Sequence, residues 1–344
     1  GITTIRKQYA ADLRSISNIQ VFFGLLSGVS NRPGVYFDKA GMFKADELTG
    51  RIEALNKKDS SGVSAVEKFA SLYKIDTMTA SGRIFALLGA VSADNFVNSK
   101  TGYFETDRFI ATLTVTMDKF AFAQSSLADK GFVVTTAEQT IALFGALFSS
   151  NTAYKTKFGT FDFARSDEGF AQSIAQLGIA SNVPGLKIRN TDQAIALFGT
   201  LFSGNAACKT SSGTFDLFGS VAGFAQSITQ LAKASKTLGL KAGNTDQAIA
   251  LFGTLFSGNA AYKTSSGVFD SARSDAGFTQ SITQFTIASN VPGLKAGNTD
   301  QAIALFGRLF SSNAAYKTDS GVFDSARSDA GFAQSITQLA LALN

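Results

Sequence analysis

The chain has no histidine and no tryptophan, and it has one cysteine and three prolines among 344 residues. Without histidine it lacks the commonest general base, the commonest zinc ligand, and the Ser–His and Cys–His nucleophile pairs. A single cysteine excludes an intramolecular disulfide and any cysteine-based metal cluster. The composition therefore predicts a protein that is not an enzyme and that carries no cofactor.

Charge is also scarce, because Asp, Glu, Lys and Arg together make up 17% of the residues, with a net charge of +5. A nucleic-acid-binding protein places basic residues in a cluster or a stripe. Here a single lysine recurs in a predicted loop, at Lys155, Lys209, Lys263 and Lys317, and we interpret it as a solvated loop tip. The sequence therefore predicts no nucleic-acid partner. No run reaches the roughly 18 apolar residues of a membrane span, so no transmembrane segment is predicted.

What the chain does contain is an internal repeat. The motif Ala-Leu-Phe-Gly ends in glycines that are 54 residues apart, at Gly145, Gly199, Gly253 and Gly307. Weaker copies of the same motif surround Gly24 and Gly89. Repeats of this length indicate stacked supersecondary units, none of which can bury its own apolar face alone.

Six copies account for nearly the whole chain, and the first two have diverged. Residues 1–18 precede the copies and are predicted to form a separate N-terminal helix, with apolar residues at helical spacing. The predicted boundaries of the copies are 19–81, 82–135, 136–190, 191–244, 245–298 and 299–344.

The fifth copy shows the local structure of a unit. Asn244 precedes an apolar run and has Gln247 three residues later, a pattern typical of a helix N-terminus. We predict that this helix ends at 257–259, Ser-Gly-Asn, and that a loop and a second helix over 274–287 follow. The predicted fold is therefore all-α, with tandem helix–loop–helix units stacked as an α-solenoid or a compact repeat bundle.

The recurring residues have structural interpretations. Glycine inside a helix costs about 1 kcal/mol relative to alanine, so its return in every copy predicts close approach of a neighbouring backbone. The acidic residue that follows a phenylalanine just before the second helix, for example Asp270 after Phe269, is predicted to cap that helix. The 32 phenylalanines are predicted to fill the core. Cys208 shares its position with tyrosines, which predicts a part-buried apolar role.

The first copy has a further motif. With Gly41 at the sixth position of a twelve-residue loop, Phe43 falls at the eighth and Glu47 at the twelfth. This segment resembles the loop of EF-hand proteins, the calcium-binding helix–loop–helix family, which has a hydrophobic residue and a bidentate acid at those places. The resemblance implies calcium as a ligand and Asp38 and Glu47 as its candidate ligands. Tyr36 stands at the first ligand position, so we predict no metal site.

Near-identical units, low charge and a surface rich in small polar residues are similar in composition to secreted bacterial surface-layer, filament and virion proteins. The chain ends in an apolar segment that includes Leu339, Leu341 and Leu343, which we predict to dock on another subunit. The predicted function is a self-assembling structural subunit, extracellular, on the cell surface or in a virus particle. A helical-repeat binding module for a protein or glycan, and a calcium-responsive helix–loop–helix protein, are the alternatives.

Overall fold

A computed structural model describes residues 56–58, 60–73, 75–77, 80, 106–126, 132–156, 160–237 and 239–342. Over these residues the protein is all-helical, with ten α-helices and only isolated β-bridges, which confirms the predicted all-α character. The chain divides into two compact units, Gly1–Thr152 and Ala153–Asn344. The predicted N-terminal helix over 1–18 lies outside the described residues.

The first unit is organised around phenylalanine contacts between its described helices. Phe69 meets Phe144 edge to face at 5.0 Å, and Phe109 meets Phe148 in the same way at 5.6 Å. Such pairs contribute beyond the area that they bury. The helices are α1 (Ala65–Tyr73), α2 (Thr106–Ser126) and α3 (Ala137–Ala153), whose last residue belongs to the second unit.

The second unit has two layers of helices. In one layer α5 packs against α7 and α7 against α9; in the other α4, α6, α8 and α10 follow one another. Helices α4, α6 and α8 of the second layer also contact the next first-layer helix along the chain, as α6 contacts α7. The helices are α4 (Phe163–Ala180), α5 (Thr191–Ala207), α6 (Leu217–Ala234), α7 (Thr245–Ala261), α8 (Ser271–Ala288), α9 (Thr299–Asn313) and α10 (Ser325–Ala342).

The predicted capping residues are confirmed, although the second helix begins at Ser271 and not at the predicted residue 274. Asn244 has an extended backbone, and its side chain accepts a 2.9 Å hydrogen bond from the backbone N–H of Gln247. Asp270 caps α8 in the same way, accepting from the backbone N–H of Arg273 at 2.9 Å. Each cap satisfies a backbone donor that the first helical turn leaves unpaired.

The predicted end of the first helix is wrong. Helix α7 continues through Gly258 and Asn259 and ends at Ala261. Tertiary contacts outweigh the local stop signal here, because the ring of Phe310 packs against Gly258 and the side chain of Asn259 is fully hydrogen-bonded inside the unit. Both residues therefore serve packing between helices.

Most of the described phenylalanines fill the core, as predicted, whereas Phe122, Phe163 and Phe218 are exposed. Phe252 and Phe256 are fully buried on α7 and their rings stack 5.9 Å apart. Phe224 on α6 meets Phe252 edge to face at 5.8 Å. Burying one such side chain stabilises a fold by about 1.5–3 kcal/mol, so these rings supply much of the cohesion between helix layers.

The loop between the two helices of a repeat, such as the one between α7 and α8, folds as a tight turn. Lys263 and Phe269 form an antiparallel bridge, and the N–H of Gly267 donates to Thr264 O at 2.9 Å. Gly267 has a φ of 82°, a left-handed conformation that favours glycine. Gly321 occupies the corresponding place after α9 with a φ of 84°.

Candidate functional site

A buried polar network joins the two helix layers of the second unit, and it centres on one asparagine in each first-layer helix. These are Asn205, Asn259 and Asn313, with at most 2% of the residue exposed. Around Asn259, the side-chain N–H2 donates to Ser227 Oγ at 2.7 Å and to Gln230 Oε1 at 2.8 Å. Its carbonyl oxygen accepts from the hydroxyl of Ser274.

The network closes on itself. Gln230 Nε2 donates to Ser274 Oγ at 3.1 Å, so the four side chains bridge helices α6, α7 and α8. All the polar groups involved find partners, and satisfied buried networks specify one arrangement of the surrounding elements. The sets around the other two asparagines make the same contacts: Ser173, Gln176 and Ser220 with Asn205, and Ser281, Gln284 and Ser328 with Asn313.

Sequence reasoning missed this network. A signal was present, because Ser and Gln three residues apart recur in the second helix of each late copy, as in Ser227 and Gln230. Their spacing places them on one helix face. Asn259 was instead interpreted as part of a helix stop, which hid its role as the shared partner.

Lys209 and Lys263 are not the solvated loop tips that the sequence predicts, whereas Lys317 is exposed. Lys263 Nζ donates to the backbone oxygens of Lys209 at 2.6 Å and of Ala207 at 3.3 Å. Ala207 is the last residue of α5, so the ammonium group lies at the negative end of that helix. Lys209 is partly buried; burial lowers its pKa, and the neighbouring charges of Lys263 and Arg165 lower it further.

Arginines of the second helices make a similar link. Arg165 pairs with Asp162 at 3.0 Å and donates to Gly213 O at 2.9 Å in the following loop. Arg273, only 4% exposed, donates to the backbone oxygens of Lys263 and Ala314 and lies over the ring of Tyr262. These charged side chains therefore hold backbone segments in place.

The predicted packing glycines are of two kinds. A Cβ added at Gly253 would lie 2.9 Å from Thr200 Cγ2, and one at Gly307 would lie 2.8 Å from Thr254 Cγ2. The close neighbour is thus a threonine methyl group on the preceding first-layer helix, and not the predicted backbone. At Gly145 an added Cβ would meet no atom within 4 Å, so close packing does not explain that glycine.

No further described helix packs against the outer side of α9 and α10 in the second unit. We call this side, which α9 and α10 form, the terminal face. Leu251 and Leu255 of α7 are fully buried, whereas Leu305 and Leu309 of α9 are half-buried. A groove of about 310 Å3 runs between α9 and α10. Its apolar lining includes Leu294, Leu305, Leu309, Phe332, Ile336 and Leu339.

The three leucines that the sequence predicts to dock on another subunit lie in different surroundings. Leu339 lines the groove, and Leu341 is 73% exposed on the last turn of α10. Leu343 lies outside the described residues. Tyr316 marks the same asymmetry, because its counterpart Tyr262 is fully buried and donates to Phe310 O at 3.0 Å, whereas Tyr316 is half-buried at the groove.

The calcium candidates Asp38 and Glu47 lie outside the described residues. Among the residues that the structure does describe, no three His, Cys, Asp or Glu side chains are grouped as metal ligands. In the same part of the chain, no helix has both the length and the apolar character needed to cross a bilayer.

Burial keeps the thiol and phenol groups of the core in their neutral form. It raises the pKa of the Cys208 thiol to about 12, and it raises the pKa of Tyr154 and Tyr262 as well. The thiolate is the reactive form of cysteine, so Cys208 is inert at neutral pH. Its burial fits the apolar role that its shared position with tyrosine predicts. Comparison of the chain with known protein families, curated proteins and solved structures finds no match.

Proposed function

We propose that the protein is a non-catalytic structural subunit that self-assembles through its repeat faces and ends into a surface layer, an extracellular filament or a virus particle. In this proposal six helix–loop–helix units of about 54 residues stack as an α-solenoid or a compact repeat bundle. The partners are copies of the same chain, and neither a cofactor nor a nucleic acid takes part.

The uncovered terminal face is the observation that carries the proposal. Residues that neighbouring helices cover inside the second unit, such as Leu255, have counterparts such as Leu309 that solvent reaches. A partly exposed apolar groove of this kind is typical of a site of interaction with another protein. End faces of stacked repeats remain sticky unless they are capped, which gives such a chain a ready surface for assembly.

The interior of the unit supports a scaffold role. Its polar side chains link helices to one another, as Asn259 links Ser227 to Ser274, and its lysines and arginines bind backbone oxygens. Regularly spaced units also present the same outer side chains at fixed intervals, so that weak contacts add along an assembly.

Electron microscopy of the purified chain, with and without calcium, tests the proposal. We expect ordered polymers or sheets in both conditions, and loss of that order when residues 339–344 are deleted. A matched variant with Leu341→Ser keeps the chain length and should weaken assembly less. Helical circular dichroism of both variants should equal that of the parent. A truncated chain that assembles normally would refute the role of this end.

One observation favours a helical-repeat binding module as the second candidate. A groove of about 520 Å3 lies between α7 and α9, with small residues such as Gly253, Ser257 and Ala304 in its lining. Such a groove offers room for a peptide or glycan chain. Monodisperse monomers in the microscope would favour this candidate, whereas a structural change on adding calcium would favour a calcium-responsive protein.

A further inference from the structure

Within Ala153–Asn344, two contacts recur between one repeat and the next. The methyl group of Thr254 lies where a Cβ on Gly307 would approach to 2.8 Å, as Thr200 lies against Gly253. In the loops, a Cβ on Gly321 would lie 3.2 Å from the backbone nitrogen of Ser265. Small residues on the leading side therefore meet glycines on the following side.

The sixth repeat, 299–344, departs from this pattern at both places. Arg308 stands where earlier copies have Ala146, Thr200 and Thr254, and Asp319 stands where they have Lys157, Ser211 and Ser265. Both residues are exposed: Arg308 lines the groove of the terminal face, and Asp319 lies in the loop between α9 and α10. Neither forms an ion pair with a described residue. The last unit thus places one positive and one negative residue where the two units before it have small ones.

Arg308 opposes continuation of the stack. Another repeat bound with the internal geometry would bring its helix glycine against this side chain, at the place where Gly307 meets the methyl group of Thr254 between α7 and α9. The larger, charged arginine would have to turn aside into the neighbouring groove, so the contact that Thr254 makes with Gly307 would not be repeated. The terminal face is therefore apolar and partly exposed, and it does not reproduce the contact by which the earlier repeats join.

A second copy of the same face meets these requirements. In a twofold interface, residue i of one chain contacts residue j of the other and residue j contacts residue i. A face with one unpaired arginine and one unpaired aspartate around an apolar groove is complementary to itself under such symmetry. Charge pairs of this kind set register and partner choice, while the apolar groove supplies the burial.

We propose that the terminal face binds the terminal face of a second copy of this chain about a twofold axis, with Arg308 of each chain opposite Asp319 of the other. This pairing rests on the proposed self-assembly and specifies the first contact in it, the one between two chains. It makes tail-to-tail dimers the building block, and the assembly then grows from surfaces other than the terminal face.

Sedimentation of charge-reversed variants tests the pairing. Arg308→Glu and Asp319→Lys each place like charges opposite one another twice in a homodimer, so each variant should dimerise at least tenfold more weakly than the parent. The double variant Arg308→Glu/Asp319→Lys restores both pairs and should dimerise like the parent. Lys236→Glu, a charge reversal at an exposed loop residue, should leave the dimer unchanged.

Mixing the two single variants gives the sharpest result. In the mixed dimer, the introduced glutamate of one chain faces the introduced lysine of the other, and the remaining Arg308 faces the remaining Asp319. An equimolar mixture should therefore form dimers that neither variant forms alone. Parent protein that stays monomeric at all concentrations, or a mixture that stays monomeric, overturns the pairing. Ordered polymers in the microscope together with an unrescued mixture overturn the pairing alone and leave the structural function standing.

Discussion

The side chain of Asn259 donates a 2.8 Å hydrogen bond to Gln230 Oε1, from the last turn of α7 to the buried side of α6. The two residues are 29 positions apart in the chain, and both are fully buried. The same donor also reaches Ser227, so a single amide fixes how α7 lies against α6. A shift of either helix by one turn would leave buried polar groups unpaired, which costs about 1–3 kcal/mol for each group.

Removing this amide should destabilise the second unit markedly. Asn259→Ala removes the donor to the side-chain oxygen of Gln230 and the acceptor of the Ser274 hydroxyl, and we expect a loss of about 2–4 kcal/mol in the free energy of unfolding. Chemical denaturation followed by circular dichroism measures the loss. Asn290→Ala, at an exposed residue whose side chain bonds only to its own helix end, is the control and should change stability by less than about 0.5 kcal/mol. Equal effects of the two variants would contradict the role of the network.

Alanine at the recurring glycines should have opposite effects at two sites. Gly145→Ala adds a methyl group in open space and should stabilise the fold by up to about 1 kcal/mol through helix propensity. Gly307→Ala forces its Cβ against Thr254 and should be destabilising instead. Adding Thr254→Ala removes the opposing methyl group and should recover most of the loss. Thermal unfolding of the three variants decides the matter, and a destabilising Gly145→Ala would contradict the structure.

The thiol of Cys208 should be inert in the folded protein. Its pKa of about 12, against 9.0 for an unperturbed thiol, lowers the thiolate fraction at pH 8 by about a thousandfold. A disulfide exchange reagent should therefore react at least that much more slowly with the native protein than with the urea-unfolded chain. Comparable rates in the two states would show that the thiol is accessible.

The same shift sets the direction of a pH dependence. The folded state keeps the Cys208 proton up to about pH 12, whereas the unfolded chain releases it near pH 9. The unfolded state therefore binds fewer protons in this range, and the stability contributed by the buried thiol is complete below pH 9 and declines as the pH rises towards 12. Cys208→Ala should lose part of this alkaline decline. An identical decline in the parent and the variant would contradict it.

Lys263 should contribute more stability than an ordinary surface lysine. Its ammonium group bonds to two backbone oxygens near the end of α5, so Lys263→Met should cost about 0.5–2 kcal/mol. Lys236→Met removes an exposed lysine and should be close to neutral. The difference between their denaturation midpoints measures the contribution of the backbone contact, and its absence would restore the interpretation as a solvated tip.

Much of the local structure could be predicted from sequence because its causes are local. Asn244 and Asp270 cap helices through backbone groups three residues away, and a short pattern reveals such bonds. The phenylalanine core was predictable for a similar reason, since a large apolar residue at helical spacing has few alternatives to burial. Hydrogen bonds between helices lack such a pattern. Asn259 looks the same in sequence whether it ends a helix or joins two of them.

The amino-acid sequence by itself determined the recurring motif, the all-helical class and the places where the helices begin, because these depend on side-chain type and spacing along the chain. Only the tertiary structure decided which polar groups are buried together, that Lys263 bonds to backbone oxygens at and just beyond the end of α5, and that Leu305 and Leu309 remain partly uncovered. Those outcomes depend on contacts between residues that are tens of positions apart in the chain. Such contacts form only when the helices pack together.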